Sequence, residues 1–475
     1  MYVQLDTPVP GELFVGKGYC LYVSGWVADS DKPIQGLSIG YGEGWTELLH
    51  WRLPRLDAGP VWWERKGSLD GFSSGFWALV PFLPVDTDRD IDLRLQAVYT
   101  DGGVADVSIG SIRLHPGTGA EPAEIIGPPP RVAILMATYN PPPHLFARQI
   151  DSLRQQTVSD WVCLIQDDGS SETSRREMTA VIGTDPRFRL FEAPDHAGVY
   201  LNFERLLRRA PTEAVYIALA DQDDDWHPDK LETQVRAIEE TGANLVYSDM
   251  RLVSDKGEIL SNTFWFKRQN NATDLEVLLL VNTVTGAAAL FRRELLDDIL
   301  PFPPAFDATY HDWWIALVAL SAGTIAYIDR PLHDYTQHAA NAVGIREAPV
   351  WAWKDYLAVR QHFVYVYHHH LVPRRLMAKL LLLRIGFLPA DKKEILQTFA
   401  FLSDTPAFYR ILRKRGRDRE HATLGTERLL SLGFKAYHLS RRLITIERYF
   451  YLGLHYLIIA KRKLGRLATP RNKEG

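Results

Sequence analysis

Residues 215–230 read VYIALADQDDDWHPDK: six apolar residues, then four carboxylates within five positions, then the Pro-Asp-Lys start of a helix. The apolar run suits a buried strand. Four like charges so close together repel one another and call for a cation or wide access to water. Alternate residues of an extended segment share a face, which points Asp221 and Asp223 the same way as oxygen ligands for Mg²⁺ or Mn²⁺. An ion held there would also take two phosphate oxygens of a nucleotide diphosphate. The other reading is an acidic cap on the helix begun by Pro228.

Upstream, apolar runs alternate with helical segments: VAILMA (132–137), a helix near His144 to Gln156, WVCLIQ (161–166), and a helix near Tyr200 to Arg209. Such alternation gives a mostly parallel sheet with helices on both faces, and ligands sit beyond the carboxyl ends of its strands. The first run ends in Ala137-Thr138-Tyr139-Asn140-Pro141, with neither a dinucleotide-binding glycine fingerprint nor a P-loop, so redox and kinase readings lose their main support. Thr138 and Tyr139 stand at a strand end where a ring can face a nucleobase. The second run ends in Gln166-Asp167-Asp168-Gly169-Ser170, an acceptor-rich corner able to take the ring N–H of uracil or thymine, or simply a turn.

Downstream, His311-Asp312-Trp313-Trp314 opens an apolar helical run. Asp312 there is either a cap or a general base that takes the proton of an acceptor hydroxyl. A polar cluster, His333-Asp334-Tyr335-Thr336-Gln337-His338 with Asn341 and Gly344, follows the strand-like TIAYID. Its His338 is read as a metal or diphosphate contact, or as a structural histidine.

In order, ATYN, DDGS, DQDDDW, TGAAALF, HDWW and Tyr-x-Gln-His-x-x-Asn-x-x-Gly resemble family 2 glycosyltransferases over residues 131–344. The wording DQDD-x-W-x-PDK, HDWW and QH-x-x-N is similar to the rhamnosyltransferase-like, polysaccharide-building subgroup, which makes dTDP-rhamnose the first donor to consider. The resemblance implies a GT-A fold and an inverting transfer from a nucleotide diphosphate sugar to a glycan or lipid-linked saccharide. It implies that Thr138, Tyr139, Asn140, Asp167, Asp168, Gly198, Asn202, Asp221 and His338 bind the donor, that Asp221 and Asp223 hold the metal, and that Asp312 is the base. No Gln-x-x-Arg-Trp motif of the processive synthases is found, so single-sugar transfer is favoured. The alternative is a non-catalytic glycan-binding scaffold, which would have no use for Asp312. A nucleotidyl-transfer enzyme would need a basic, glycine-rich loop that is missing.

The flanks differ in character. Residues 1–125 carry short alternating runs bounded by Gly, Asp and Pro, as in a β-sandwich. They hold six of the 13 Trp residues, and Trp62 or Trp63 is a candidate for stacking on an oligosaccharide. A Gly- and Pro-rich linker spans His115 to Arg131. Residues 345–475 read as helical and basic. From 374 onward there are 23 Lys and Arg against 8 Asp and Glu, a solvated face or a patch for anionic lipid head groups. Nucleic acid is not expected. With two cysteines, no secretion signal and no run of about 18 apolar residues, the expected place is the cytoplasm, in part against the inner face of the membrane.

Overall fold

The computed structural model describes residues 1–338 and 372–401, apart from 49–50, 54, 56, 69, 126, 194, 268–269, 271–272 and 307–309. Within the first 115 residues two sheets face each other. One orders Tyr2–Leu5, Tyr19–Ala28, Gly75–Phe82 and Trp51–Leu53; the other orders Glu12–Phe14, Val104–His115, Arg89–Tyr99, Ile34–Tyr41 and Gly44–Glu47. Alternation drives this packing: in Arg89–Tyr99 every second side chain from Ile91 to Tyr99 is buried, giving the sheet one face for the core. The sequence did not announce the helix Ala58–Lys66 that crosses this region. From it Trp62 packs into a pocket with Trp26 and Tyr2.

The central sheet is built from β1 (Val132–Thr138), β2 (Trp161–Asp167), β3 (Phe188–Glu192), β4 (Tyr216–Ala220), β5 (Asp225–Trp226), β6 (Leu245–Ser254), β7 (Ile259–Ser261), β8 (Ala289–Arg292) and β9 (Ile325–Gln337). Its order is β3-β2-β1-β4-β8-β6-β9-β5, with β7 beside β6. The first four strands are parallel, while β8 runs antiparallel to both β4 and β6. The helices used below are α1 (Pro143–Arg154), α2 (Glu172–Ile182), α3 (Val199–Arg208), α4 (Lys230–Thr241) and α5 (His311–Ala322). This is an α/β architecture, the sheet-and-helix arrangement that the sequence motifs lead one to expect.

Strands β1 to β3 step outward in one direction, and β4 then returns to the opposite side of β1. The carboxyl ends of β1 and β4 therefore flank a topological switch point, where a ligand crevice forms in such sheets. Strand β9 runs parallel to β6 over its whole length, with register shifts near Asp249, and its second half also pairs antiparallel with β5 on the other edge, matching Asp225 to Asp334 and Trp226 to His333. Its end therefore lies beside the acidic turn, where His338 meets Asp223.

Helix α5 is buried almost all round, which its uniformly apolar sequence requires. Two helices, α6 (Val372–Arg384) and α7 (Ala390–Ala400), share a core with it, and that core also takes in Cys20, Leu53, Trp77 and Leu79 of the N-terminal region. Glycine makes the close approach workable. A Cβ at Gly16 would sit 2.8 Å from the Leu300 carbonyl oxygen, and one at Gly18 would sit 2.4 Å from the Leu383 side chain. Buried Arg384 donates to the Gly18 carbonyl at 2.8 Å and to that of Ile299 at 3.1 Å.

The stretch between His115 and Val132 has no helix or strand, but it is pinned along the end of α3, with Glu121 N–H donating to Arg208 C=O at 2.8 Å and Ala123 N–H to Arg209 C=O at 2.9 Å. Among the described residues no helix is long and apolar enough to cross a membrane. The expected helices at Trp351 to His370 and Glu427 to Lys463, the motif residues Asn341 and Gly344, and most of the basic tail lie outside the described residues.

Candidate active site

At the ends of β1 and β2, the sequence-derived donor residues form one knot. Asp167 is fully buried and accepts from both the N–H and the hydroxyl of Ser170, while Thr138, 2 % exposed, sits against it at 3.5 Å. Asp168 receives N–H donors from Ala197 at 2.9 Å and Gly198 at 2.8 Å, has the His196 ring 2.9 Å away, and pairs with Arg205 at 3.4 Å. Gly198 (φ +85) begins α3, so the Asp168 carboxylate meets the positive end of that helix. Asn202 is buried and donates to the Gln166 carbonyl at 2.8 Å. Asn140 takes a positive φ of 42, donates its backbone N–H to the Ser170 hydroxyl oxygen at 2.7 Å, and accepts from Ser171 N–H on its side-chain oxygen at 3.0 Å. Most of these groups spend their hydrogen bonds on one another, although Asn202 Oδ1 is buried without a partner, so they act chiefly as the framework of this corner. Tyr139 is the open one: 45 % exposed, its ring lies 4.2 Å from that of His196, and its N–H donates to Gln222 Oε1 at 2.8 Å.

Across the switch point, the acidic turn leaves β4. Burial, with the neighbouring Asp223 and Asp312 charges, pushes the Asp221 carboxyl up to about 7. Burial also raises Asp223, opposed by His338, whose Nε2 lies 2.7 Å from its Oδ2. Asp224 is fully buried and pushed well above the usual carboxylate range by burial and by Asp221 and Asp223. Its counter-charge is Lys230, which opens α4, is itself buried, and lies 3.8 Å over the Trp226 ring. Desolvation lowers that ammonium to about 7 against the pull of Asp224 and Asp221. Asp225 points the other way, into the β5–β9 pairing and toward Arg148.

Asp312 stands in the first turn of α5. Burial raises its carboxyl to about 6, against donors from Gly286, Trp313 and Asn282. Since Asp221 feels the Asp312 charge, the three aspartates read from separate stretches of sequence share one electrostatic neighbourhood. An indirect chain also runs between them: Lys230, drawn by the charges of Asp221 and Asp224, donates to the Ala287 carbonyl, and the adjacent Gly286 N–H donates to Asp312 Oδ2 at 3.0 Å. His311, the residue before it, stacks on Phe203 at 3.7 Å and is held neutral by burial, which lowers it to about 3.

The donor set suits a hard divalent ion. Asp221 and Asp223 are desolvated carboxylates at the end of one strand, with His338 beside Asp223 and the Arg148 guanidinium on the Asp223 carbonyl at 3.2 Å. Among the described residues no group of three or more His, Cys, Asp or Glu side chains is placed to hold a metal ion, so an ion at Asp221 and Asp223 would need other partners. Mg²⁺ characteristically takes one or two carboxylates and leaves its remaining positions to water and substrate phosphate.

Several contributors carried little sequence signal. Asn282, Gly286, Gln222 and His196 act through partners up to tens of residues away, and only the Asn-x-Val turn formed by Asn282 is a local cue. In the N-terminal region Trp62 is 3 % exposed, which removes it as a stacking surface and corrects the expectation; the Trp63 side chain lies outside what is described. Trp45, 37 % exposed, is the open ring there.

Residues 133–300 match the family model "Glycosyl transferase family 2". An uncharacterized glycosyltransferase of Nostoc sp. is 25% identical over 221 residues, which is 44% of this chain and 66% of that protein. The Escherichia coli UDP-Glc:alpha-D-GlcNAc-diphosphoundecaprenol beta-1,3-glucosyltransferase is 27% identical over 124 residues, 26% of this chain and 47% of that protein. The chain thus spans under two thirds of the length of these curated relatives. Among solved structures, S. aureus TarS 1-349 in complex with UDP-GlcNAc is 14% identical with a TM-score of 0.40, covering 68% of this chain and 92% of that one.

Proposed function

With residues 133–300 belonging to glycosyl transferase family 2, we propose that the chain transfers one sugar, with inversion, from a nucleotide diphosphate donor to a glycan or lipid-linked saccharide in cell-surface polysaccharide synthesis. The observation that carries this reading is the gathering of Asp221, Asp223 and Asp312 at one switch point. An inverting displacement needs a base on one face of the anomeric carbon and charge stabilisation for the departing diphosphate on the other.

Asp312 takes the proton of the acceptor hydroxyl as that oxygen bonds to the anomeric carbon. The bond to the diphosphate oxygen breaks on the opposite face, and the nucleotide diphosphate leaves with its electron pair. Asp221 and Asp223, with His338 beside Asp223, would hold Mg²⁺ or Mn²⁺, which would supply positive charge to the leaving group. Tyr139 covers the nucleobase, in a pocket shaped by Thr138, Asn140, Asp167, Asp168, Gly198 and Asn202.

The finer reading takes dTDP-rhamnose as donor, on the sequence motifs alone, and a pyrophosphate-linked lipid as acceptor, which the diphosphoundecaprenol named for the E. coli relative supports. It divides the chain into a sandwich (1–125), a catalytic part (131–344) and a basic helical part (345–475) that rests on the inner face of an anionic membrane.

The test uses the purified full chain with Mn²⁺ and a panel of UDP-glucose, UDP-N-acetylglucosamine, dTDP-rhamnose and GDP-mannose. Asp312→Asn lowers transfer and donor hydrolysis by roughly 10²- to 10⁴-fold and leaves donor affinity unchanged. A variant working at the wild-type rate overturns the reading.

A further inference from the structure

The Asp312 carboxylate is gripped from outside its own helix. Asn282 Nδ2 donates to Oδ1 at 3.0 Å, and Gly286 N–H donates to Oδ2 at 3.0 Å. The orientation of the Asn282 amide is fixed too, because its own oxygen accepts from Val284 N–H at 3.0 Å and leaves only the NH₂ to face the carboxylate. Oδ1 receives a second donor, the N–H of Trp313, at 2.7 Å. Among the described residues Oδ1 takes two donors from other residues and Oδ2 takes one, with the N–H of Asp312 itself as a further donor to the carboxylate, so Oδ2 carries the lighter load from its neighbours.

The gripping loop is held in turn. Lys230 donates to Ala287 C=O, Gln234 to Ala288 C=O at 2.7 Å, and Trp313 Nε1 to Leu278 C=O at 2.6 Å. Only glycine fits at 286, since a Cβ there would lie 2.8 Å from His311 Nε2.

We propose that Asn282 is a positioning residue for the reaction: it locks the Asp312 carboxylate so that Oδ2, and not Oδ1, takes the proton of the acceptor hydroxyl. This rests on Asp312 being the base. An N–H donor favours the ionised form of a carboxylate, so Asn282 also keeps Asp312 deprotonated at lower pH than burial alone would allow. The other groups facing Asp312 are Asp221 from the acidic turn and neutral His311 from its own helix; the 282–288 loop carries no titratable side chain, and Arg374 of α6 is spent on the Leu280 carbonyl at 2.6 Å.

The test reads Asp312 directly, without donor. Infrared difference titration of the full chain, wild type against Asp312→Asn, isolates the protonated carboxyl band of Asp312. Asn282→Ala moves its midpoint up by about one pH unit, and Asn282→Asp, nearly isosteric but a like charge, moves it further. With Mn²⁺ and the same four nucleotide sugars, Asn282→Ala lowers kcat by about tenfold to a hundredfold with little change in donor KM, and the acid limb of the pH profile follows the spectroscopic midpoint. A merely structural Asn282 would lower the melting temperature and leave the midpoint in place. Midpoints unmoved in both variants overturn the inference, with Asn282→Asp deciding if the alanine variant fails to fold. If Asp312→Asn stays active, the base assignment falls, while the infrared titration still judges the contact between Asn282 and Asp312.

Discussion

Two acidic corners stand at neighbouring strand ends, and they are opposites. The Asp167–Asp168 corner at the end of β2 is met by N–H and hydroxyl donors on every side, from Ser170, Ala197 and Gly198, with the cation of Arg205 beside them. The Asp221–Asp224 turn at the end of β4 is buried at Asp224 but partly open at Asp221, and it meets chiefly other carboxylates, with Lys230 behind and His338 in front. Satisfied carboxylates become scaffold; unsatisfied ones stay available to an incoming cation.

The sharpest way to break the contrast is to remove one member of each corner. Asp223→Ala should cost at least about 10²-fold in turnover and weaken Mn²⁺ binding measured by calorimetry, with little loss of stability. Asp168→Ala should instead cost about 3 kcal/mol of stability in a denaturant titration, because Arg205 and two N–H groups lose a buried partner. If both variants lose activity and stability alike, the corners are not different in kind.

A second pair of expectations concerns pH. Asp221 is held above the value near 3.9 that it has in the unfolded chain. The folded state then binds more protons than the unfolded one between these values, so metal-free protein should lose stability as pH rises from about 4 toward 7. Added Mn²⁺ should restore the melting temperature above that range; a flat profile with and without metal would remove the unsatisfied corner. The base must be ionised to act, so turnover should rise with pH through about 6, the value to which burial brings Asp312.

The smallest effect belongs to the N-terminal aromatic rings. Trp45→Ala should change stability by less than about 0.5 kcal/mol, and Trp62→Ala should cost about 3 kcal/mol or more. Equal melting shifts would contradict the burial difference between them.

The sequence made the sheet legible because β1, β2 and β4 are apolar runs of strand length, and each breaks at a residue that proves to sit on the crevice. It could not separate the two acidic corners. The partners of Asp168 arrive some thirty residues later in a loop without periodicity, and those of Asp312 some thirty residues earlier. Spacing tells which residues share a face; whether a donor waits opposite depends on where distant loops return. Trp62 fails for a related reason, since a short helix between strands turns it inward.

The continuous core around Trp77, Leu79, α5 and α6 has a bearing on how this chain can be taken apart. Cutting away the first 125 residues would bare an apolar seam and strip Arg384 of its Gly18 acceptor, so truncation would report on solubility before it reported on sugar recognition. Anyone grafting the sandwich onto another enzyme, or replacing it, would have to carry over the matching helix as its cradle.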